Sequence, residues 1–289
     1  MGLGRERLRE SVRTAAGLLA MFGVLSTNSG CFQPLLRSTP TDLRVAASAG
    51  PSSEPLEWHR VDRGQLAIHT TFYLPPTHPL IEEMVNLRTD VFQVLRATPS
   101  TEPIHVYLFR NPRELAQITQ RTGDPILERR AYFLQTPDAL RVYAAWTYDV
   151  AVDLRHELTH AYIHSVQPQV PLWLDEGLAE YFEVPRAEVG RHPLHPQYLR
   201  QRQLDGGLDL SLARLESLRD PATFAQADYA QSWLWVRWLL SRTETAELLA
   251  DYFAALPKAG NPASLLPRLA AIGPLADVEA QVASGLAGP

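Results

Sequence analysis

The sequence predicts an α+β fold: an N-terminal mixed α/β subdomain with a small sheet, followed by a mainly helical subdomain. Three observations carry this expectation. Up to residue 147, short aromatic and β-branched runs such as IHVYLF alternate with segments of helical period. From Tyr148 onward the apolar spacing is helical alone. The 289 residues are 45% hydrophobic and 20% charged, enough to build a core without disulfide help.

Residues 1–31 read as a secretory or lipoprotein signal. Arg5, Arg7, Arg9 and Arg13 precede an apolar run from Ala15 to Leu25, and small and polar residues then lead to Cys31. That run is too short to span a bilayer comfortably. Cys31, the only cysteine, stands where a lipoprotein signal places its lipidated residue, although Asn28 occupies a site usually aliphatic. The expectation is export to the cell envelope or beyond, with membrane attachment through a lipidated Cys31. Residues 32–56, rich in Pro, Ser, Thr and Ala, read as a flexible linker.

The N-terminal subdomain is expected over 57–147. Gln65–Tyr73 is strand-like and is stopped by Pro75 and Pro76. Leu80, Met84, Leu87, Val91 and Leu95 mark a helix from His78 to Leu95. Ile104–Phe109 reads as a buried strand, and Asn111 as the cap of the helix that Pro112 begins. Ala131–Leu134 and Leu140–Ala145 are short strands around the turn-like QTPDA. The helical part is expected over 148–273. It holds helices at Val150–Val166, capped by Asp149, at Leu172–Phe182, and at about 210–218, 223–241, 243–255 and 262–271. Residues 186–208 lack a period and read as an ordered loop or partial lid, and 274–289 as a C-terminal tail.

Charge and cysteine usage narrow the function classes. With 27 basic and 32 acidic residues the net charge is -5, and the arginines show no clustering, so nucleic acid is not an expected partner. A multi-span membrane protein and a disulfide framework are both excluded. A metal site would have to use His, Asp or Glu.

Such a site is legible in RHELTHAYIHSVQPQVPLWLDEGLAEYFE. His156 and His160 are four residues apart, so on a helix their imidazoles share a face and can meet one metal ion. Glu157 lies beside them, placed to act on water as a base without being a ligand. One Zn²⁺ ion suits two imidazoles and a carboxylate with a coordination position left open. Glu176, on the amphipathic helix to which Pro168 and Pro171 turn the chain back, is the natural third ligand. The zinc cleft then lies between the two subdomains.

This segment strongly resembles the gluzincin superfamily, which includes thermolysin and the membrane alanyl aminopeptidases. Its closest likeness is to bacterial peptidase MA-like proteins with a WLxEGLAEYFE helix. The resemblance implies a zinc metallopeptidase in which His156, His160 and Glu176 hold the metal and Glu157 is the general base. It also implies that Glu180, one turn beyond Glu176, accepts a hydrogen bond from a zinc-binding histidine. The rival assignment makes Glu180 the ligand and moves Glu176 behind it. The stretch DYAQSWLWVRWLL resembles the helix whose leading tyrosine steadies an oxyanion in these enzymes, which assigns that role to Tyr229. The spacing of 15 residues between His160 and Glu176 is shorter than in thermolysin or the aminopeptidases, and a GxMEN signature is absent from the strand before the zinc helix.

The expected function is therefore zinc-dependent hydrolysis of internal peptide bonds in a peptide or protein substrate. The alternatives are a non-catalytic zinc-containing envelope scaffold or peptide-binding protein, and a zinc hydrolase of non-peptide substrates. Leu140–Trp146 is the expected edge strand for pairing with substrate. His192 and His195 read as surface residues of the 186–208 loop, or as donors to the leaving group.

Overall fold

A computed structural model describes residues 57–122 and 129–286. The signal, Cys31 and the 32–56 linker lie outside the described residues. Strands β1 (His59–Arg63) and β2 (Leu66–Thr70) form an antiparallel hairpin, turned by Gly64 at a left-handed φ of 58°. Only β2 was expected, because the charges of HRVDR mask an exposed edge strand. Helix α1 (Pro79–Leu95) starts where His78 accepts the Leu80 N–H at 3.2 Å, with Pro79 at the first turn. Strand β3 (Ile104–Phe109) leads to α2 (Pro112–Thr122), capped as expected: Asn111 Oδ1 accepts from Arg113 N at 3.0 Å and Glu114 N at 3.1 Å. Strands β4 (Ala131–Thr136) and β5 (Ala139–Ala145) form the second hairpin.

The five strands make one mixed sheet in the order β1-β2-β3-β5-β4. The central β2, β3 and β5 run parallel and the outer β1 and β4 run antiparallel to their neighbours. Strand β5, the expected edge, is therefore interior, and β4 is the edge. Alternation sorts the faces. Ile68, Val106, Leu108, Val142 and Phe133 pack into the main core with α1 and α3 (Val150–His164), while Tyr107, Phe109, Tyr132 and Ala145 meet Leu115 of α2 on the other side.

On that second face one rung crosses the sheet: Arg60, His69, Tyr107, Tyr143 and Tyr132 are register partners in turn. Its rings stack, with centroids 4.8, 5.0 and 4.8 Å apart from His69 through Tyr132 and interplanar angles of 14–16°.

The helical part begins with α3, which is buried nearly all round. That explains its weak amphipathic signal. Asp149 does not cap it by its side chain; the carboxylate pairs with Arg130 instead. Then follow α4 (Leu172–Phe182), α5 (His195–Leu204), α6 (Leu212–Ser217), α7 (Gln226–Leu239), α8 (Thr243–Ala254), α9 (Leu266–Ala270) and α10 (Leu275–Ser284). Two of these depart from expectation. Helix α5 occupies part of the expected loop, where Pro196 sits at the first turn and only His195 and Leu199 are buried, too few to show a period. Helix α10 occupies the expected tail and buries Val278 and Val282, one turn apart.

The α4–α7 contact is unusually close. A Cβ on Gly177 would lie 2.6 Å from the Ser232 carbonyl oxygen and 2.8 Å from Val236 Cγ2. Glycine at this helical position lets the two backbones touch. Among the described residues, no helix is long and apolar enough to cross a membrane.

Candidate metal centre

Helix α3 lies between the sheet, α1 and α4, and it is tied in place by polar links at both sides. The Tyr162 hydroxyl donates to the Met84 carbonyl of α1 at 2.9 Å. Arg155 donates to Glu83 of α1 and to the Glu183 carbonyl at the C-terminal end of α4. These links hold α3 and α4 side by side with their chemistry-bearing faces together.

His156, His160 and Glu176, the three expected ligands, lie together. Glu176 Oε2 lies 3.6 Å from His156 Nε2 and 3.7 Å from His160 Nε2, and all three side chains are almost inaccessible to solvent. A tetrahedral ion with bonds of roughly 2.0–2.1 Å has ligand atoms about 3.4 Å apart, so the triangle is close to the size an ion requires. The decisive observation is Glu176 itself. It is 0% exposed, and neither carboxylate oxygen has a hydrogen-bond partner among the described residues. A buried carboxylate without partners is strongly disfavoured, and a cation between it and two imidazoles removes that penalty. These buried His and Glu groups could hold a metal ion.

The far sides of the imidazoles are held by carboxylates. His160 Nδ1 lies 3.0 Å from Asp175 Oδ1, and the other oxygen of Asp175 lies 3.0 Å from His164 Nε2. His156 Nδ1 lies 3.0 Å from Glu183 Oε2. Carboxylates on the non-ligating nitrogens fix the tautomer that points Nε2 toward an ion. Burial alone would raise Asp175, but His160 and His164 hold it well below the usual carboxylate range.

Glu180, expected to accept from one of the two ligand histidines, meets a different pair. Its Oε2 lies 2.9 Å from His195 Nε2 and 3.5 Å from His192 Nε2, and Glu183 lies against His156 Nδ1 instead. The reason is helical phase: Glu176, Glu180 and Glu183 form an i, i+4, i+7 stripe along α4 and its cap, and the last of them reaches the outer side of His156. Burial, and then the charge of Glu183, push the Glu180 carboxyl up, whereas hydrogen bonds from His156 and His192 outweigh burial and hold Glu183 down. His192 and His195 are buried in this network rather than on the surface.

Glu157 is buried beside the triangle, and burial raises its carboxyl pKa, with the charge of Glu176 adding to the rise. A narrow cleft lined by Arg130, Ala131, Val152, Asp153, His156, Glu157 and Glu183 leads to it. The cleft runs between the start of edge strand β4 and helices α3 and α4, and Arg130 bridges Asp149 and Asp153 at its rim, the latter at 2.9 Å. Tyr229 is half-buried on the first turn of α7, its ring edge-on to Phe224 at 4.8 Å. Asp228 beside it pairs with Arg214 at 2.7 Å and accepts the Ala225 N–H at 2.8 Å, which fixes the start of α7.

Sequence reasoning passed over Asp175, His164 and Glu183. The signals were present: His164 continues the i, i+4 series of His156 and His160, and Asp175 adjoins the expected ligand. No protein-family model matches the chain, and none of the curated proteins compared with it matches.

Proposed function

We propose that this protein is a zinc-dependent peptide-bond hydrolase of the gluzincin type, acting on internal bonds of a peptide or protein substrate. The observation that carries the reading is the buried Glu176 carboxylate, which accepts no hydrogen bond from the described residues and faces two histidine Nε2 atoms, with Glu157 buried beside them.

His156, His160 and Glu176 would hold Zn²⁺, which supplies Lewis acidity toward a carbonyl oxygen and makes water more acidic. Glu157 takes the proton of the attacking water and returns it to the departing amine. Burial, which raises this carboxyl, favours its holding the proton between the two halves of that transfer. Asp175 and Glu183 keep the two imidazoles oriented. Tyr229 donates its hydroxyl to the oxygen that gains charge as the carbonyl is attacked. Strand β4 is the sheet edge beside the cleft, and its outer backbone groups suit an extended peptide laid alongside Ala131. The basic and apolar pattern of residues 1–31 supports export to the cell envelope, with lipid attachment at Cys31.

Purified protein assayed for metal content and for cleavage of a peptide library tests the reading. Glu157→Gln is expected to keep stoichiometric zinc and lose turnover by at least about 1,000-fold, a general-base contribution at the upper end of the usual range. Glu176→Ala is expected to lose zinc. Normal cleavage by Glu157→Gln, or zinc retained by Glu176→Ala, would overturn it.

A further inference from the structure

The segment between α4 and α5 brings a second group of buried titratable side chains against the back of His156. Glu183 links His156 to it: Oε2 lies 3.0 Å from His156 Nδ1 and Oε1 lies 2.8 Å from His192 Nε2. His192 Nδ1 in turn accepts the backbone N–H groups of Leu194 at 3.2 Å and His195 at 3.0 Å. A backbone N–H can only donate, so Nδ1 of His192 carries a lone pair and its proton resides on Nε2. That proton is donated to Glu183. As an ionised carboxylate Glu183 accepts at both oxygens, which places a proton on His156 Nδ1 and leaves the His156 Nε2 lone pair directed at Glu176 and His160.

The same group has the composition of a second ion site, since ligand atoms of Glu180, His192 and His195 lie within 4.8 Å of one another. Its geometry does not suit one. The His192 and His195 rings are stacked at 3.5 Å and 14°, so their lone pairs lie in nearly parallel planes and cannot both point at one ion. The proton on His192 Nε2 also occupies the nitrogen nearest the carboxylates. The arrangement orients; it does not ligate.

We propose that His192 is a positioning residue of the metal centre: through Glu183 it fixes the tautomer and direction of His156. This rests on the reading of His156 as a metal ligand. The start of α5 thereby reaches His156 through three hydrogen-bonded links, although no residue of α5 is among the three candidate ligands.

Two substitutions separate the links. In His192→Gln the side-chain amide reaches Glu183 as the imidazole Nε2–H does, but offers no acceptor to Leu194 and His195. In His192→Asn the amide oxygen replaces Nδ1 as that acceptor, but nothing reaches Glu183. The full chain, loaded with Co²⁺, is titrated against a chelator, and its visible absorption and the unfolding midpoint of the metal-free protein are recorded. His192→Asn is expected to weaken Co²⁺ binding by about 10-fold and alter the cobalt bands, while His192→Gln stays within about 3-fold of wild type, consistent with the effect of partners behind a metal ligand. Equal affinities for the two variants, or tighter binding by His192→Asn, would overturn the proposal while leaving the hydrolase reading intact. Two cobalt ions per chain would overturn it in favour of a second site. Absence of any cobalt binding by wild type would remove both readings. A measurement that needs no variant is the nitrogen spectrum of ¹⁵N-histidine-labelled protein. Protons on Nε2 of His192 and Nδ1 of His156 are expected, and the opposite tautomer at either residue would overturn the proposal.

Discussion

Replacing Gly177 by alanine sets two effects of opposite sign against each other. Alanine favours a helix over glycine by about 1 kcal/mol, so on propensity alone the variant should be more stable. The packing says otherwise. The new methyl would lie 2.6 Å from the Ser232 oxygen, 2.8 Å from the Ser232 carbonyl carbon and 2.8 Å from Val236 Cγ2, where ordinary contact begins near 3.4 Å. Two of the three obstacles are backbone atoms, and Ser232 and Val236 are fully buried, so none can swing aside. Helices α4 and α7 must separate by several tenths of an ångström. Overpacking costs about 1–3 kcal/mol, and with backbone atoms in the way the cost falls in the upper half of that range, which leaves a net destabilisation of about 1–2 kcal/mol. Thermal unfolding of the metal-free protein should therefore fall by about 2–8 °C for a chain of this size. Because Glu176 is the adjacent residue, zinc affinity should fall as well. A melting temperature equal to or above wild type, with unchanged zinc affinity, would refute the claim that this helix contact demands glycine.

Two further outcomes test the centre. Tyr229→Phe removes only a hydroxyl; it should leave zinc content and unfolding unchanged but lower kcat/KM about 100-fold, the usual cost of one oxyanion donor, and full activity would exclude Tyr229 from catalysis. Asp175 is held below the ordinary carboxylate range by His160 and His164, so its stabilising effect is complete above the unfolded carboxyl pKa and is lost on acidification. Urea unfolding of metal-free wild type and Asp175→Asn should therefore differ most above about pH 5, with the gap starting to narrow only below about pH 4 and continuing to narrow on further acidification; a gap independent of pH would contradict the assignment.

The triangle of His156, His160 and Glu176 was legible because its signal is local. An i, i+4 pair of histidines and a carboxylate on the next helix need only helical geometry and a turn, and α4 appears at the limits expected from its sequence. The carboxylates behind the histidines were less legible, since which of Glu180 and Glu183 meets His156 depends on how α3 and α4 cross. Strand order is also non-local: alternation identifies β5 as a strand but says nothing of its neighbours, and only pairing reveals β4 at the edge. Elements with few buried residues escaped altogether. Helix α5 buries two side chains and β1 is mostly charged, so neither leaves a hydrophobic period to read.

The stacked rung from Arg60 to Tyr132 has a consequence for where the cleft can be. A one-residue slip of β2, β3, β5 or β4 would turn its aromatic ring into the helical core and expose a residue such as Val106 or Val142 on the opposite face. The registers of these four strands are thus checked by one another, strand to strand. Ala131, at the mouth of the cleft, directly precedes the last member of that rung. The sheet therefore works as a vernier: an insertion in the distant β1–β2 hairpin can be absorbed outside the ladder, but one inside it would shift the wall that faces Glu157.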